Sequence, residues 1–258
     1  MRYFILFSYV GTDFHGSQSQ PNGVTVQEVM ERAMTTLLRV PVSLTFAGRT
    51  DAGVHARQMW AHWDYDAGDN GIMKPLLDLP KLSARLNNLL PHSVAVQQIV
   101  PVIGDAHARY SALARTYEYR ITTRKDPFLY GRAARVAVGL DYKLMNEAAQ
   151  QLIGRHDFAS FCKVHTDVKT TFCTVRRAVW EQTGEEEAVF TIEADRFLRN
   201  MVRAVVGTLF EVGRGKMTVS QFTRVVEARN RCAAGQSAPA EGLYLVNVEY
   251  PEGLFVSE

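Results

Sequence analysis

Residues 42–56 have the sequence VSLTFAGRTDAGVHA, which joins a strand-like run to a glycine-rich loop. The apolar residues of 42–46 alternate with period two, and this pattern predicts a strand. The glycines of the loop allow tight turns that a residue with a β-carbon would resist. We therefore expect Asp51 to stand exposed at a strand end, two residues from Arg49. An aspartate between glycines often only caps a turn, so the spacing alone leaves a structural and a chemical interpretation open.

Hydrophobic periodicity divides the chain into two halves in which strands and helices alternate. Thr25 and Glu28 form a capping-box pattern, which predicts that the first helix begins at Thr25. The other predicted helices are 81–90, 143–152, 198–212 and 219–229, and the predicted strands are 3–10, 42–46, 58–63, 94–100, 116–122, 175–182, 188–193 and 243–250. We divide the chain into an N-terminal half, 1–106, and a C-terminal half, 107–258. Two α+β halves indicate sheets joined side by side with helices packed against them.

Composition indicates a soluble enzyme without a metal or a disulfide framework. The 258 residues are 47% hydrophobic, enough for a sizeable core. No apolar run approaches the roughly 20 residues that span a bilayer, so we expect no membrane partner. The three cysteines form no Cys-x-x-Cys pair, and no histidine pair has metal-ligand spacing beside a carboxylate. We therefore predict no metal and a reducing compartment, most simply the cytoplasm.

Charge is segregated along the chain although the formal net charge is only +2. Eight basic and two acidic residues lie between Arg196 and Arg231, and seven basic residues accompany two acidic ones between Arg109 and Arg135. By contrast, 64–78 holds four aspartates and one lysine. Such segregation is expected if one face follows phosphates, although solvated helix faces produce it as well.

The string GRTDAGVHA at 48–56 resembles the signature of the TruA-type tRNA pseudouridine synthases. Five further stretches fall in that family's order: FHGSQ at 14–18, HARYSALARTYEYR at 107–120, DFASF at 157–161, FLRNMVR at 197–203 and EGLYL at 241–245. One departure is visible, because Ser17 stands where the family usually carries tryptophan. The resemblance covers nearly the whole chain.

The resemblance implies an α+β pseudouridine synthase fold with two RRM-like, or ferredoxin-like, halves. Their sheets join side by side, the helices lie on one face, and a central cleft is catalytic. It further implies a homodimer in which one tRNA touches both subunits, and isomerisation of uridine to pseudouridine at positions 38 to 40 of the anticodon stem-loop. This reaction moves the ribose bond from nitrogen 1 to carbon 5 of the base and needs no cofactor.

The resemblance also gives the three central residues of the site. Asp51 is the nucleophile, and Arg203 is the cation that keeps its carboxylate ionised and oriented. Tyr117 lies against the flipped-out base, with proton transfer as an additional role. Whether Asp51 attacks the ribose, attacks carbon 6 of the base, or only abstracts a proton stays open.

The remaining site residues are expected to bind the substrate. Leu245 forms part of the apolar wall, and Arg49 contacts a phosphate at the flipped nucleotide. Phe14 and Gln18 lie near the substrate, and Arg109 belongs to a basic segment that grips tRNA. His55 is given no role beyond loop structure.

Two other classes of function remain open at this stage. A non-catalytic RNA-binding protein could have the same halves, but a carboxylate beside phosphates would weaken binding. A hydrolase could use Asp51 in another reaction, but glycoside hydrolysis ordinarily needs two carboxylates in one site. No second acid stands out near Asp51 in the sequence.

Overall fold

A computed structural model describes residues 1–65, 77–136, 139–163 and 169–256. The described strands are β1 (Arg2–Tyr9), β2 (Thr45–Phe46), β3 (His55–Asp64), β4 (Val94–Pro101), β5 (Ala114–Thr122), β6 (Ala134–Arg135), β7 (Gly154–Asp157), β8 (Phe172–Gln182), β9 (Glu187–Ala194) and β10 (Leu243–Glu249). The described helices are α1 (Val26–Leu38), α2 (Leu79–Leu89), α3 (Tyr142–Gln150), α4 (Met201–Gly213) and α5 (Val219–Glu227). This mixed content confirms the α+β class.

The chain forms two compact units. Unit 1 comprises Met1–Leu113 together with Leu245–Glu258, and unit 2 comprises Ala114–Tyr244. The division of the sequence into 1–106 and 107–258 stays a prediction. The units differ from it in that Leu245 and the residues after it belong with the N-terminal part of the chain.

Unit 1 is built on the antiparallel strands β4, β1 and β3, with β1 in the middle. Phe4 of β1 pairs with His62 of β3 on one side and with Val100 of β4 on the other. The C-terminal segment returns to this unit, because the Tyr250 hydroxyl donates to the carbonyl of Ala108 at 2.6 Å. The Phe4 ring also packs edge-on against Tyr250, so the two ends of the chain share one core.

Helix α1 begins as the sequence predicts. The Thr25 side chain accepts a hydrogen bond from the backbone N–H of Glu28 at 3.3 Å, which satisfies one of the donors that a helix start leaves unpaired. The helix buries an apolar stripe that consists of Val26, Val29, Met30, Ala33 and Met34. Helical spacing of these residues explains both the helix and its position on the core.

The predicted strand 42–46 is wrong in its length, because only Thr45–Phe46 pairs with β3. Side chains of α1 take the backbone donors that an extended strand would use. Val42 N–H donates to the Thr35 hydroxyl at 3.1 Å, and Leu44 N–H donates to the Glu31 carboxylate at 2.7 Å. Periodicity could not reveal this competition, since it depends on tertiary contacts.

Unit 2 is an antiparallel sheet in the order β5, β9, β8 and β7, with the short β6 parallel to β5. Sequence periodicity does not predict β6 and β7, because each has at most four residues. Helix α3 packs against β8 and against α4 and α5. Helix α4 is buried along most of its length, which makes it the centre of this unit.

The described residues include no helix that is both long and apolar enough to cross a membrane.

Candidate active site

Residues 47–54 form the loop between β2 and β3 that carries Asp51, and we call it the aspartate loop. At the start of the loop, Ala47 N–H donates a hydrogen bond to the carbonyl of Trp60 at 2.7 Å. Near its end, a turn is closed by the hydrogen bond from Val54 N–H to the carbonyl of Asp51 at 3.1 Å. Asp51 is half-buried, whereas Arg49 is exposed. Asp51 is therefore half-buried, not exposed as the sequence predicts, and it lies in a turn before β3, not at the end of a long strand.

Thr50 attaches the aspartate loop to the segment after β1. Its backbone N–H donates to the Ser17 hydroxyl at 2.8 Å, and its carbonyl accepts from Ser17 N–H at 3.1 Å. Its hydroxyl lies 2.7 Å from the hydroxyl of Tyr9 in a buried hydrogen bond. The backbone and the side chain of the residue before Asp51 are therefore held by two partners.

A second attachment lies at the end of the aspartate loop. His55 is buried, and its Nδ1 accepts from the backbone N–H of Gly11 at 3.0 Å. Gly11 must be a glycine here, because a β-carbon would stand only 2.0 Å from the carbonyl oxygen of Val54. An accepting Nδ1 carries no proton, so His55 is held in the form with the proton on Nε2. This geometry gives His55 a part in fixing the loop.

The segment 14–18 has two kinds of environment. Phe14 is only 6% exposed and Ser17 is 0% exposed, so both side chains belong to the interior of unit 1. Gln18 is exposed. Of the two residues expected to lie near the substrate, Gln18 presents an exposed side chain, whereas Phe14 belongs to the interior.

Arg109 is exposed beside a small aromatic cluster in unit 1. Its guanidinium lies 5.8 Å from the ring centre of Tyr110, and the ring of Tyr110 packs on His107. His107 Nδ1 accepts the backbone N–H groups of Arg109 and Tyr110, which fixes this turn. His107 also packs against His62, whose pKa falls to about 4 because of burial and the nearby positive charge of Arg2. The cluster therefore presents Arg109 on a turn supported by a neutral His62.

Leu245 also lies in unit 1, where it is 1% exposed. Its place in β10 makes it a core residue of the sheet.

In unit 2, Tyr117 lies on β5 opposite Ile192 of β9. The residue is 9% exposed, and its ring meets Phe197 edge-on, with ring centres 5.0 Å apart. Tyr119, two residues further along the same strand, donates its hydroxyl to the carbonyl of Pro239, and burial raises its pKa. β5 thus directs two tyrosines to the same side of the sheet, and only Tyr117 retains part of its surface.

Arg203 lies in the first turn of α4 and is partly exposed. Its Nε donates to the carbonyl of Ala238 at 2.7 Å, and its own carbonyl accepts from Ala238 N–H at 2.9 Å. The helix start is held from the same segment, because the Asn200 amide donates to the Ser237 hydroxyl at 2.7 Å. These bonds fix the backbone of Arg203 and the Nε end of its guanidinium.

The basic residues before and after α4 differ in their surroundings. Arg196 is partly exposed, and Arg199 and Arg214 are exposed. Arg214 forms an ion pair with Glu211 at 3.0 Å, and such surface pairs contribute little to stability. Across the ranges that the structure describes, no three His, Cys, Asp or Glu side chains lie close enough together to hold a metal ion.

Ser17 and Tyr9 are residues that the sequence interpretation did not assign to the site. A buried serine in a loop gives no periodic signal, and Tyr9 falls inside a strand pattern that explains it as core. Ser17 stands out in the sequence only as a departure from the pattern of the family that the motifs resemble. Only the tertiary structure shows that its hydroxyl meets Thr50.

Comparison with known proteins points to the same family as the six sequence motifs. A family model described as tRNA pseudouridine synthase matches residues 148–251. The relatives named tRNA pseudouridine synthase A include one from Parabacteroides distasonis, 52% identical across 100% of this chain and 99% of the relative. Another, from Bacteroides fragilis, is 52% identical across 98% of both chains. A relative from Rhodospirillum centenum is 41% identical across 96% of this chain and 99% of its own. Identity of this extent over the whole length shows that the chain belongs to the tRNA pseudouridine synthase A family.

Proposed function

We propose that this chain isomerises uridine to pseudouridine in the anticodon stem-loop of tRNA, at positions 38 to 40, with Asp51 as the nucleophile. The observation that carries the proposal is the attachment of the aspartate loop to the core of unit 1. Thr50 makes this attachment before Asp51, and His55 makes it after Asp51. A carboxylate held in this way suits a reaction that needs exact placement at one atom. Family membership supports tRNA uridine as the substrate and isomerisation as the reaction.

The reaction breaks the bond from ribose carbon 1′ to nitrogen 1 of uracil and forms the bond from carbon 1′ to carbon 5. The proton on carbon 5 leaves, and nitrogen 1 gains a proton, so no group is lost and no electron is transferred. A base stacked in a stem is out of reach, so the nucleotide must be flipped out of the helix at a cost of a few kcal/mol. Asp51 then acts on the exposed nucleotide, and contacts to the rest of the tRNA offset the cost of flipping.

The proposed chemistry also needs a cation that favours an ionised carboxylate and a flat surface for the base. The family motifs assign these roles to Arg203 and Tyr117, with proton exchange as an additional role of the tyrosine. The burial of Leu245 suits its proposed role in an apolar wall. The Tyr117 ring is held edge-on against Phe197, and the Arg203 Nε is held by the carbonyl of Ala238, which suits both roles.

The substrate contacts belong to the same proposal. Arg49, Gln18 and Arg109 are exposed and carry donors for phosphate or base atoms. Phe14 contributes by supporting its segment. We further propose the pseudouridine synthase fold with RRM-like halves, a homodimer that binds one tRNA across both subunits, a cytoplasmic location, and no cofactor.

The first prediction concerns Asp51. Asp51→Asn keeps the shape of the side chain but removes the negative charge, so we expect the single-turnover rate of pseudouridine formation to fall by at least about 10³-fold. The melting temperature and tRNA affinity should stay close to wild type. The assay uses an excess of enzyme over a tRNA transcript with uridine at position 39.

Asp105→Asn, an exposed substitution in the same unit, serves as the matched control and should leave the rate unchanged. Appreciable pseudouridine from folded Asp51→Asn protein would return the aspartate loop to a structural role. Release of free uracil by the wild type would indicate a hydrolase, and tRNA binding without any product would indicate a binding protein.

A second prediction separates the ring of Tyr117 from its hydroxyl. Tyr117→Phe retains the stacking face, so tRNA affinity should be near normal while turnover falls strongly. Tyr117→Ala should in addition lose about 1–3 kcal/mol of stacking. Tyr142→Phe, which removes a hydroxyl elsewhere in unit 2, is the control. A wild-type rate for Tyr117→Phe would exclude a role of the hydroxyl in proton exchange.

A third prediction concerns the basic segment around α4. Replacing Arg196, Arg199 and Arg214 together by glutamine should weaken tRNA binding and reduce the salt dependence of the association constant. Each lost phosphate contact lowers the slope of log K against log salt by about 0.7 to 0.9. The control replaces three exposed basic residues of unit 1 helices, namely Arg32, Lys81 and Arg85.

If the slope of log K against log salt is unchanged in the variant of Arg196, Arg199 and Arg214, these residues do not contact the RNA. Light scattering on the same samples tests the homodimer, since one chain has a mass of 29.0 kDa. A particle of that mass at working concentration would contradict it.

A further inference from the structure

The Ser17 side chain is buried completely beneath the aspartate loop. Its hydroxyl oxygen accepts the backbone N–H of Thr50 at 2.8 Å, and its own N–H donates to the carbonyl of Thr50 at 3.1 Å. Tyr9 holds the third polar group of the same residue, the Thr50 hydroxyl. All the hydrogen-bonding groups of Thr50 are thereby engaged, and the next residue in the chain is Asp51.

We propose that Ser17, together with Tyr9, is a positioning residue that sets the place of the Asp51 carboxylate through Thr50. This inference rests on the proposed role of Asp51 as nucleophile. Neither Ser17 nor Tyr9 needs to touch the substrate, because each acts on the backbone or side chain of Thr50. The Thr50 carbonyl and the Cα of Asp51 belong to one planar peptide unit. Fixing the backbone of Thr50 therefore restricts where the Cα of Asp51 can lie.

The other side of this connection is the first turn of α1. The carbonyl of Ser17 accepts Gln27 N–H at 3.0 Å, and the carbonyl of Gly16 accepts Val26 N–H at 3.3 Å. Thr25, which caps the helix, is itself fully buried. Ser17 therefore links the aspartate loop to a regular element with a buried face, which is a firmer support than a neighbouring loop.

The local packing leaves little room at this point. A β-carbon on Gly16, whose φ is +96°, would lie 3.0 Å from the carbonyl oxygen of Thr50. Serine supplies a side-chain oxygen at this point, and that oxygen accepts the Thr50 N–H.

The experiment measures single-turnover rate constants of pseudouridine formation for Ser17→Ala, Tyr9→Phe and the double variant. A saturating excess of enzyme over tRNA is used, so that the folded fraction of a partly unfolded sample still converts all the tRNA and the rate constant does not change. Displacement of a catalytic group by about 1 Å can cost about 100-fold in rate. We expect Ser17→Ala to lower the rate constant about 10-fold or more while the apparent tRNA affinity stays at the wild-type value.

Ser19→Ala makes the same substitution two residues away, at an exposed serine, and should leave the rate constant unchanged. Because Ser17 and Tyr9 both act on Thr50, the double variant should lose about as much as the more damaging single variant. Independent effects would instead multiply. If Ser17→Ala fails to fold, Tyr9→Phe carries the test alone, since it removes only one oxygen.

Wild-type rate constants in both single variants would overturn the inference, and so would a loss confined to tRNA affinity. Multiplying effects in the double variant would overturn the shared action through Thr50. These results are distinguishable from failure of the proposed function, which would appear as activity in Asp51→Asn. An inactive Asp51→Asn beside a fully active Ser17→Ala would leave the nucleophile in place and remove only the positioning role.

Discussion

The hydrogen bonds between Ser17 and Thr50 are the constraint on which the proposed site depends most. A glycine-rich loop gains many conformations in solution, and each of them would place a carboxylate differently. In unit 1 the residue before Asp51 is fixed by Ser17 and Tyr9, and the loop end is fixed by His55. Buried bonds of this kind matter because an unpaired Thr50 N–H would be costly in a water-poor interior.

Unit 2 uses the same principle with different groups. Arg203 and Asn200 at the start of α4 are held by the segment that contains Ser237 and Ala238. Tyr117 is placed by β5, whose pairing with β9 is regular from Arg115 to Thr122. In both units the central residues of the proposed site stand on backbone that hydrogen bonds or a sheet hold, so their placement costs little ordering when a substrate binds.

Much of the fold could be predicted from the sequence because its signals are local. The apolar run of β1, the cap at Thr25 and the proline after α2 all act within a few residues. The predicted strand 42–46 is too long for a nonlocal reason. The side chains of Thr35 and Glu31 in α1 accept the backbone N–H groups of Val42 and Leu44. The return of Leu245 to unit 1 is nonlocal too, and no pattern within β10 indicates it.

The candidate site also has a part that the sequence identifies and a part that depends on nonlocal contacts. The motif around Asp51 identified the loop, and the family's motifs pointed to Tyr117 and Arg203. Sequence reasoning could not show that Phe14 is interior while Gln18 is exposed, or that Ser17 meets Thr50, because both facts depend on how segments distant in sequence pack together.

Amide hydrogen exchange at Thr50 measures the central constraint directly. Because its N–H is donated to the buried Ser17 hydroxyl, we expect it to exchange as slowly as amides of the β3 core such as that of Met59, and Ser17→Ala should remove this protection. Exchange of Thr50 in the wild type as fast as that of the exposed loop residue Ala52 would show that the loop opens freely. That result would contradict a fixed aspartate loop.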